Sequence, residues 1–306
     1  MAFPTETVYG LGANALDADA VRKVYSAKGR PSDNPTIVHI ADAKDLAKLT
    51  TGLSKIAMIL IENFWPGPLT IVVKKKKTVP YETTGGLETV AVRMPADVTA
   101  LELIKKAKRP IAAPSANLSG KPSPTKASHV IEDLNGRVDA IIAGGSCRVG
   151  IESTVVDVTG EMPVILRPGI ITEENIRAVT KGKVDYDPSL LMKEEPVSAP
   201  RSPGMKYKHY APSAEMTVVE GRHDRVVKEI ERIKKINESA GRKVGVILFD
   251  EDAYKEAAHD FFARLRELDN NESDLILAGA LSDTDGVGFA VMNRMLKSAG
   301  YNIIKV

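Results

Sequence analysis

Fixed cations, small hydroxyls and amides recur at the ends of apolar segments in the first part of this 306-residue chain. Thr5, Thr7, Gly10 and Gly12 form a loop of small residues near the start. Lys28-Gly29-Arg30 sets two cations before the turn Pro31-Ser32-Asp33-Asn34-Pro35, and His39 sits in the apolar segment Thr36–Ile40. Glycine lets backbone N–H groups approach a ligand closely, and the cations favour an anionic one. Further on, Arg93 lies among the apolar residues of Thr89–Met94, and Arg167 precedes Pro168-Gly169. An arginine inside an apolar strand requires an anionic partner, either an internal carboxylate or a ligand. The loop Pro114–Thr125 adds Ser115, Asn117, Ser119, Lys121, Ser123 and Thr125, then opens a helix. Donors feeding a helix N-terminus suit a phosphate; capping of the same helix by Pro124 and Thr125 explains part of the pattern. No nucleophile stands out. The set suits chemistry between bound substrates, driven by positioning and charge neutralisation. Taken singly, the residues have plainer readings: a solvated turn for Lys28-Gly29-Arg30, and a satisfied core histidine for His39.

Other chemistries lack their motifs. There is no GxSxG elbow, no HExxH, no Walker A sequence, and no GxGxxG after the first strand of the C-terminal part. Five histidines are scattered, and one cysteine, Cys147, excludes an internal disulfide and a cysteine zinc cluster. Single-cysteine usage, no apolar run near the roughly 20 residues that span a bilayer, and a start without signal-peptide character together imply a cytoplasmic protein with no membrane contact. A net charge of +2 is too balanced to name nucleic acid as a partner. The run Lys74–Lys77 reads either as a solvated hairpin tip or as an RNA contact. Aromatics make up 5% and do not interleave with cations as base-stacking surfaces do.

The elements that must hold these residues follow from periodicity. Val21, Val24 and Tyr25 share one face of a helix before the Lys28 tip; Asp42–Leu49, Ser54–Phe64, Val98–Ala107, Lys126–Leu134 and Thr172–Val179 are further helices. Apolar runs predict strands at Thr36–Ile40, Leu69–Val73, Thr89–Met94, Pro110–Ala113, Ala140–Ala143, Thr154–Val158 and Val164–Leu166. Residues 182–213, with Pro188, Pro196, Pro200, Pro203 and Pro212, predict an extended linker. Its far end, Ser202–Pro212, includes Tyr207, His209 and Tyr210 and is richer than a spacer requires, which suggests a lid. Beyond it the strands Met216–Val219, Val244–Phe249, Leu275–Ala278 and Asn302–Lys305 alternate with helices at Arg225–Glu238, Ala253–Leu268 and Gly288–Ala299. Such alternation implies βαβ units and a parallel sheet covered on both faces.

PTETVYGLG, KGRPSDNPTIVHI, FWPGPLT, VAVRMP, APSANLSGKPSPT, STVVDVTG, LRPG and SPGMKYKHYAP, in this order, resemble the threonylcarbamoyl-AMP synthase family in its long, two-domain form. The matches run from Pro4 to Pro212; the C-terminal part fits that family's smaller domain by architecture. Family members carry a further helix and strand ahead of the first motif, where this chain has Met1-Ala2-Phe3. The resemblance implies an α/β fold. A YrdC-like mixed-sheet domain with a basic concave site would span residues 1–181, a Pro-rich linker or lid 182–213, and a Rossmann-like parallel-sheet domain 214–306. It also implies synthesis of L-threonylcarbamoyladenylate from L-threonine, bicarbonate or CO2, and ATP, with release of pyrophosphate. The product would pass to a tRNA threonylcarbamoyltransferase complex. Carried onto matching positions, the threonine site would use Thr7, His39, Arg93, the Ala113 backbone and Ser153. The ATP site would use Arg30, Asn34, Thr89, Ser115, Ser123, Arg167 and Tyr210. Lys28 and Arg30 would act on the phosphates, with Mg2+ arriving on ATP and no dedicated protein ligand for it. The alternative of another class is a double-stranded RNA or tRNA-binding module using the same basic concavity and Lys74–Lys77.

Overall fold

The helix that carries the Lys28-Gly29-Arg30 tip runs from Ala18 to Lys28 in the computed structural model, which describes residues 1–190, 210–282 and 286–306. Asp17 caps it by accepting from the Asp19 and Ala20 N–H groups, and Gly29 ends it at φ 62°, a left-handed conformation that glycine adopts without strain. Val21, Val24 and Tyr25 are buried, as their spacing requires. The Tyr25 hydroxyl donates to the Asn34 carbonyl at 2.8 Å, so the helix is tied to the turn that follows it.

An eight-stranded mixed sheet carries the first domain, in the order Asp185–Tyr186, Val164–Arg167, Thr154–Asp157, Leu69–Lys74, Thr89–Arg93, Ile37–His39, Ile111–Ala112, Ala13–Asn14. Ile37–His39 runs parallel to Thr89–Arg93, with His39 opposite Arg93. Leu69–Lys74 runs antiparallel to Thr89–Arg93, and Thr154–Asp157 parallel to Leu69–Lys74. Val164–Arg167 returns antiparallel, with Arg167 opposite Val155. These directions bring the ends bearing His39, Arg93, Ser153 and Arg167 to one end of the sheet. Thr89 and Lys74 pair at the other.

A smaller sheet of four parallel strands follows, ordered Val244–Ile247, Leu275–Gly279, Glu215–Glu220, Ile303–Lys305. Alternate residues face opposite sides. Met216, Val218, Ile276 and Ala278 pack with Phe261, Phe262, Leu265 and Met295 of helices Tyr254–Asn270 and Val287–Ser298. Val219, Leu275 and Leu277 pack with Val226 and Ile230 of helix His223–Ser239. Both faces are covered, as the alternating strand and helix patterns imply.

Three expectations are corrected. Asp42–Leu49 is a 3-10 turn, Ala43–Asp45, followed by a single α turn, Leu46–Leu49, because Asp42 accepts from the near Lys44 N–H. Ala140–Ala143 is no strand: Ile141 makes one parallel bridge with Ala2, whose own strand is two residues long. The stretch expected to start a linker at Gly182 first supplies the edge strand Asp185–Tyr186, parallel to Val164–Arg167. Tyr186 and Leu190 pack against the first core, so this part of the chain belongs to it. Residues 191–209, which hold most of the expected linker and the Tyr207 and His209 part of the lid, lie outside the described residues.

Candidate active site

The sheet end bearing His39, Arg93, Ser153 and Arg167 lines a cleft. Thr7, Arg93, His39, Ala113 and Ser153 line it, together with Lys28, Arg30, Ser115, Arg167 and Tyr210. Residues assigned to a threonine seat and most of those assigned to an ATP seat therefore share one cavity.

Arg93 is 3% exposed. Its Nη1 donates to Thr7 Oγ1 at 2.8 Å and its Nε to the Gly67 carbonyl at 3.2 Å. Nη2 stands 2.7 Å from Glu6 Oε1, but neither of those two atoms is aligned for a hydrogen bond. Glu6 thus offsets the buried charge while the guanidinium keeps N–H groups for a second acceptor. Of the two anionic partners anticipated for an arginine in this strand, the structure supplies the internal carboxylate, and Arg93 also lines the cleft. Thr5 Oγ1 lies 2.9 Å from Thr7 Oγ1 and donates to the Val8 carbonyl at 2.7 Å, which fixes the Thr7 hydroxyl.

His39 stands beside Arg93 with Nδ1 3.1 Å from the Ile37 carbonyl. Burial, and then the Arg93 charge, push it down to about 3, so at neutral pH it is an uncharged imidazole donating from Nδ1. The Ala113 N–H donates to the Ile37 carbonyl at 2.9 Å, so it is the Ala113 carbonyl that remains for a ligand. Ser153 Oγ contacts Thr70 Oγ1 at 2.8 Å and accepts from Arg167 Nη2 at 3.1 Å, while Arg167 Nε donates to the Ser153 carbonyl at 3.0 Å. Burial lowers Arg167 to about 10, which leaves it charged at neutral pH.

On the nucleotide side, Lys28 is 2% exposed. Its Nζ donates to the Ser115 carbonyl at 2.5 Å, the Asn117 carbonyl at 2.6 Å and Asn117 Oδ1 at 3.3 Å. An ammonium has three N–H groups, and three acceptors of one loop stand around it. Lys28 therefore shapes the Ser115–Asn117 loop. Burial, and then Arg30, hold it well below the ordinary lysine value. Arg30 is half-buried, with Nη2 3.4 Å from the Pro35 carbonyl. Asn34 is fully buried, and neither amide atom has a hydrogen-bond partner; such a group calls for a ligand or a water.

Three assigned residues are not among the cleft's lining, Asn34 being one of them. Thr89 starts the strand that ends in Arg93, about 13 Å away at the rise of a strand. Ser123 is fully buried and donates to Glu152 Oε1 at 2.5 Å. Tyr210 does line the cleft, at φ 64°, an unfavourable backbone for a non-glycine residue. Its ring centroid is 5.1 Å from that of Phe262, and its phenol is hydrogen-bonded to Glu152. Tyr210 thus docks on the second domain and lines the cleft in one arrangement.

Glu6 and Glu152 were not singled out from sequence, nor were the second-domain arginines Arg266 and Arg294. The available signal was physical: buried arginines imply buried carboxylates, and each acid lies inside a hydroxyl-rich motif, next to Thr7 and Ser153 respectively. In the lysine run, Lys75 Nζ donates to the Val79 carbonyl at 3.0 Å and sits 3.7 Å over the Tyr81 ring, and Lys76 Nζ donates to the Ala47 carbonyl at 2.5 Å. These two side chains fold back on their own domain.

Known proteins resemble this chain throughout. The Sua5–YciO–YrdC family model, described as telomere recombination, matches residues 1–169. The model described as threonylcarbamoyl-AMP synthase, C-terminal domain, matches residues 171–300. The threonylcarbamoyl-AMP synthase of Pyrococcus abyssi is 50% identical, the match covering 100% of this chain and 92% of that one. Its counterpart in Bacillus subtilis is 47% identical, covering 100% and 90%. A crystal structure of P. abyssi Sua5 complexed with L-threonine superposes with a TM-score of 0.95, covering 100% of this chain and 92% of that one. Among the described residues no helix is long and apolar enough to cross a membrane.

Proposed function

This chain belongs to the threonylcarbamoyl-AMP synthase family, and from that premise we propose how its cleft joins L-threonine, bicarbonate or CO2, and ATP into L-threonylcarbamoyladenylate and pyrophosphate. The observation that carries the proposal is the shared cavity. Arg93, Thr7 and His39, assigned here to a small carboxylate, line the same cavity as Arg30, Ser115 and Arg167, assigned to a polyanion.

The Arg93 guanidinium takes the threonine carboxylate, while Thr7 and Ser153 offer hydroxyls to the substrate hydroxyl. In the first step the free amine adds to CO2, forming a C–N bond and releasing one proton. His39, held near 3, is too weak a base to take it; bicarbonate or water accepts the proton. In the second step a carbamate oxygen attacks the α-phosphorus, and the bond to the β-phosphate oxygen breaks as pyrophosphate leaves. Arg30 and Arg167 offset charge gathering on the leaving group. Lys28 acts through the loop it holds.

The donor set does not fit a protein-held Mg2+. Glu6 is paired with Arg93 and Glu152 with Arg294, and the described residues contain no cluster of three His, Cys, Asp or Glu able to hold a metal. In this proposal Mg2+ enters on the triphosphate. The first domain, which extends through Leu190, carries the chemistry, and the second domain supports it. The acyl-adenylate is a reactive mixed anhydride, so a tRNA threonylcarbamoyltransferase complex is the consumer it requires. Isotope-labelled bicarbonate tests the proposal: label should appear in a threonine- and ATP-dependent adenylate. Label incorporated without threonine would contradict it.

A further inference from the structure

Two buried arginines of the second domain reach into the first and bracket the residue Ser123. Arg266 is 3% exposed; its Nε and Nη2 donate to the Pro122 carbonyl at 3.1 and 2.7 Å, and Nη2 also to Asp133 Oδ2 at 2.7 Å. Asp133 in turn accepts from Lys121 Nζ at 3.1 Å and from the Leu118 N–H at 3.2 Å. Arg294 is 0% exposed, and its Nε donates to Glu152 Oε2 at 3.0 Å. The other oxygen of Glu152 accepts from Ser123, and the same carboxylate holds the Tyr210 phenol. The first domain's nucleotide loop is thus held by side chains that lie more than a hundred residues further along the chain.

Glu152 is an anomaly in a cavity built for a polyanion, since an uncompensated carboxylate there would repel phosphate. It lines the cleft beside Arg167. Burial alone would push its pKa up, yet Arg294, then Arg167 and the Ser123 hydroxyl, hold it below its ordinary value and charged. We propose that Arg294 is a positioning residue for ATP: by neutralising Glu152 across the domain boundary, it lets that carboxylate hold Tyr210 at the cleft and brace the loop behind it through the buried Ser123, without repelling the phosphates. The second domain is then a working part of the ATP seat and not of the threonine seat, where Arg93 has Glu6 from its own domain. This inference rests on the assignment of the cleft to ATP and threonine given above.

The test compares Arg294→Met, Arg294→Lys and the double variant Glu152→Gln/Arg294→Met in the full chain. ATP and L-threonine binding are each titrated calorimetrically, alongside KM for both. Arg294→Met leaves Arg167 as the cation that must offset the buried Glu152 carboxylate, drawing it from the phosphates, and should weaken ATP binding about tenfold or more, with threonine binding little changed. The double variant should regain most of that loss, and Arg294→Lys should stay close to the parent chain. Equal losses for both ligands would overturn the proposal. So would a double variant as impaired as Arg294→Met, or a lysine variant no better than the methionine one. Calorimetry does not require turnover, so a parent chain that binds ATP without releasing pyrophosphate would overturn the reaction assignment while this comparison still decides the role of Arg294. A parent chain that binds no ATP would overturn both.

Discussion

Arg93 Nη1 lies 2.8 Å from Thr7 Oγ1, and on the other side of the same guanidinium Nη2 lies 2.7 Å from Glu6 Oε1. One acid and one hydroxyl, adjacent in a single loop, therefore hold the cation that should receive the threonine carboxylate. Arg93→Ala alone would leave Glu6 buried and unpaired, confusing binding with folding. The double variant Glu6→Gln/Arg93→Ala separates the two. Relative to Glu6→Gln it should lose about 1.5–3 kcal/mol of threonine affinity with a much smaller change for ATP. Calorimetric titration measures both, and equal losses would remove Arg93 from the threonine seat.

Selectivity among amino acids follows from the same loop. One methyl group in an apolar niche is worth about 1 kcal/mol, so threonine should be preferred to serine only about five- to tenfold. Thr7 and Ser153 present hydroxyls to the substrate's own hydroxyl, so valine should be rejected more strongly. Competition assays giving a preference for valine over serine would refute that placement.

Lys28 should matter through structure. Lys28→Met removes the ammonium from two carbonyls and one amide oxygen of the Ser115–Asn117 loop, leaving buried acceptors unsatisfied at about 1–3 kcal/mol each. Thermal unfolding should show this loss, and KM for ATP should rise with the loosened loop. Unchanged stability with a reduced kcat alone would mean that Lys28 acts on the phosphates directly.

Acid should weaken the fold before its carboxylates titrate. His39 is held to about 3 by burial and Arg93, and His129 to about 4 by burial, Arg266 and Lys126. Both folded values lie below the ordinary 6.5, so the unfolded chain binds protons first as pH falls. The stability is intact above about 6.5 and is lost on the way down to the folded values. Between about pH 6.5 and 4.5 each histidine should remove up to about 1.4 kcal/mol per pH unit. Urea unfolding across that window measures the slope; His39→Gln and His129→Gln should each flatten it, and an unchanged slope would contradict the buried neutral state.

The legible parts of the chain were those where one local pattern decided the outcome. Val98–Ala107 is a helix over the residues its periodicity gave, and the second domain's strands and helices alternate as its apolar segments do. Ala140–Ala143 misled because an apolar run takes strand form only with a partner long enough to pair, and Ala2–Phe3 supplies one residue. Pro188 drew Asp185–Tyr186 into a linker, although the edge of a sheet tolerates a nearby proline. In the cleft, the motifs supplied many of the residues that line it, among them Thr7, His39, Arg93 and Ser115. They did not reveal Glu152 with Arg294, 142 positions apart, because no local period encodes a partner that only the packing of two domains brings near.

The central claim is that one cleft holds threonine and ATP together for a joint reaction. Pyrophosphate release from ATP and bicarbonate, followed with and without L-threonine, tests it most directly. The account predicts release that requires threonine and is lost in Glu6→Gln/Arg93→Ala. Equal release in the absence of threonine, or none in its presence, would contradict it.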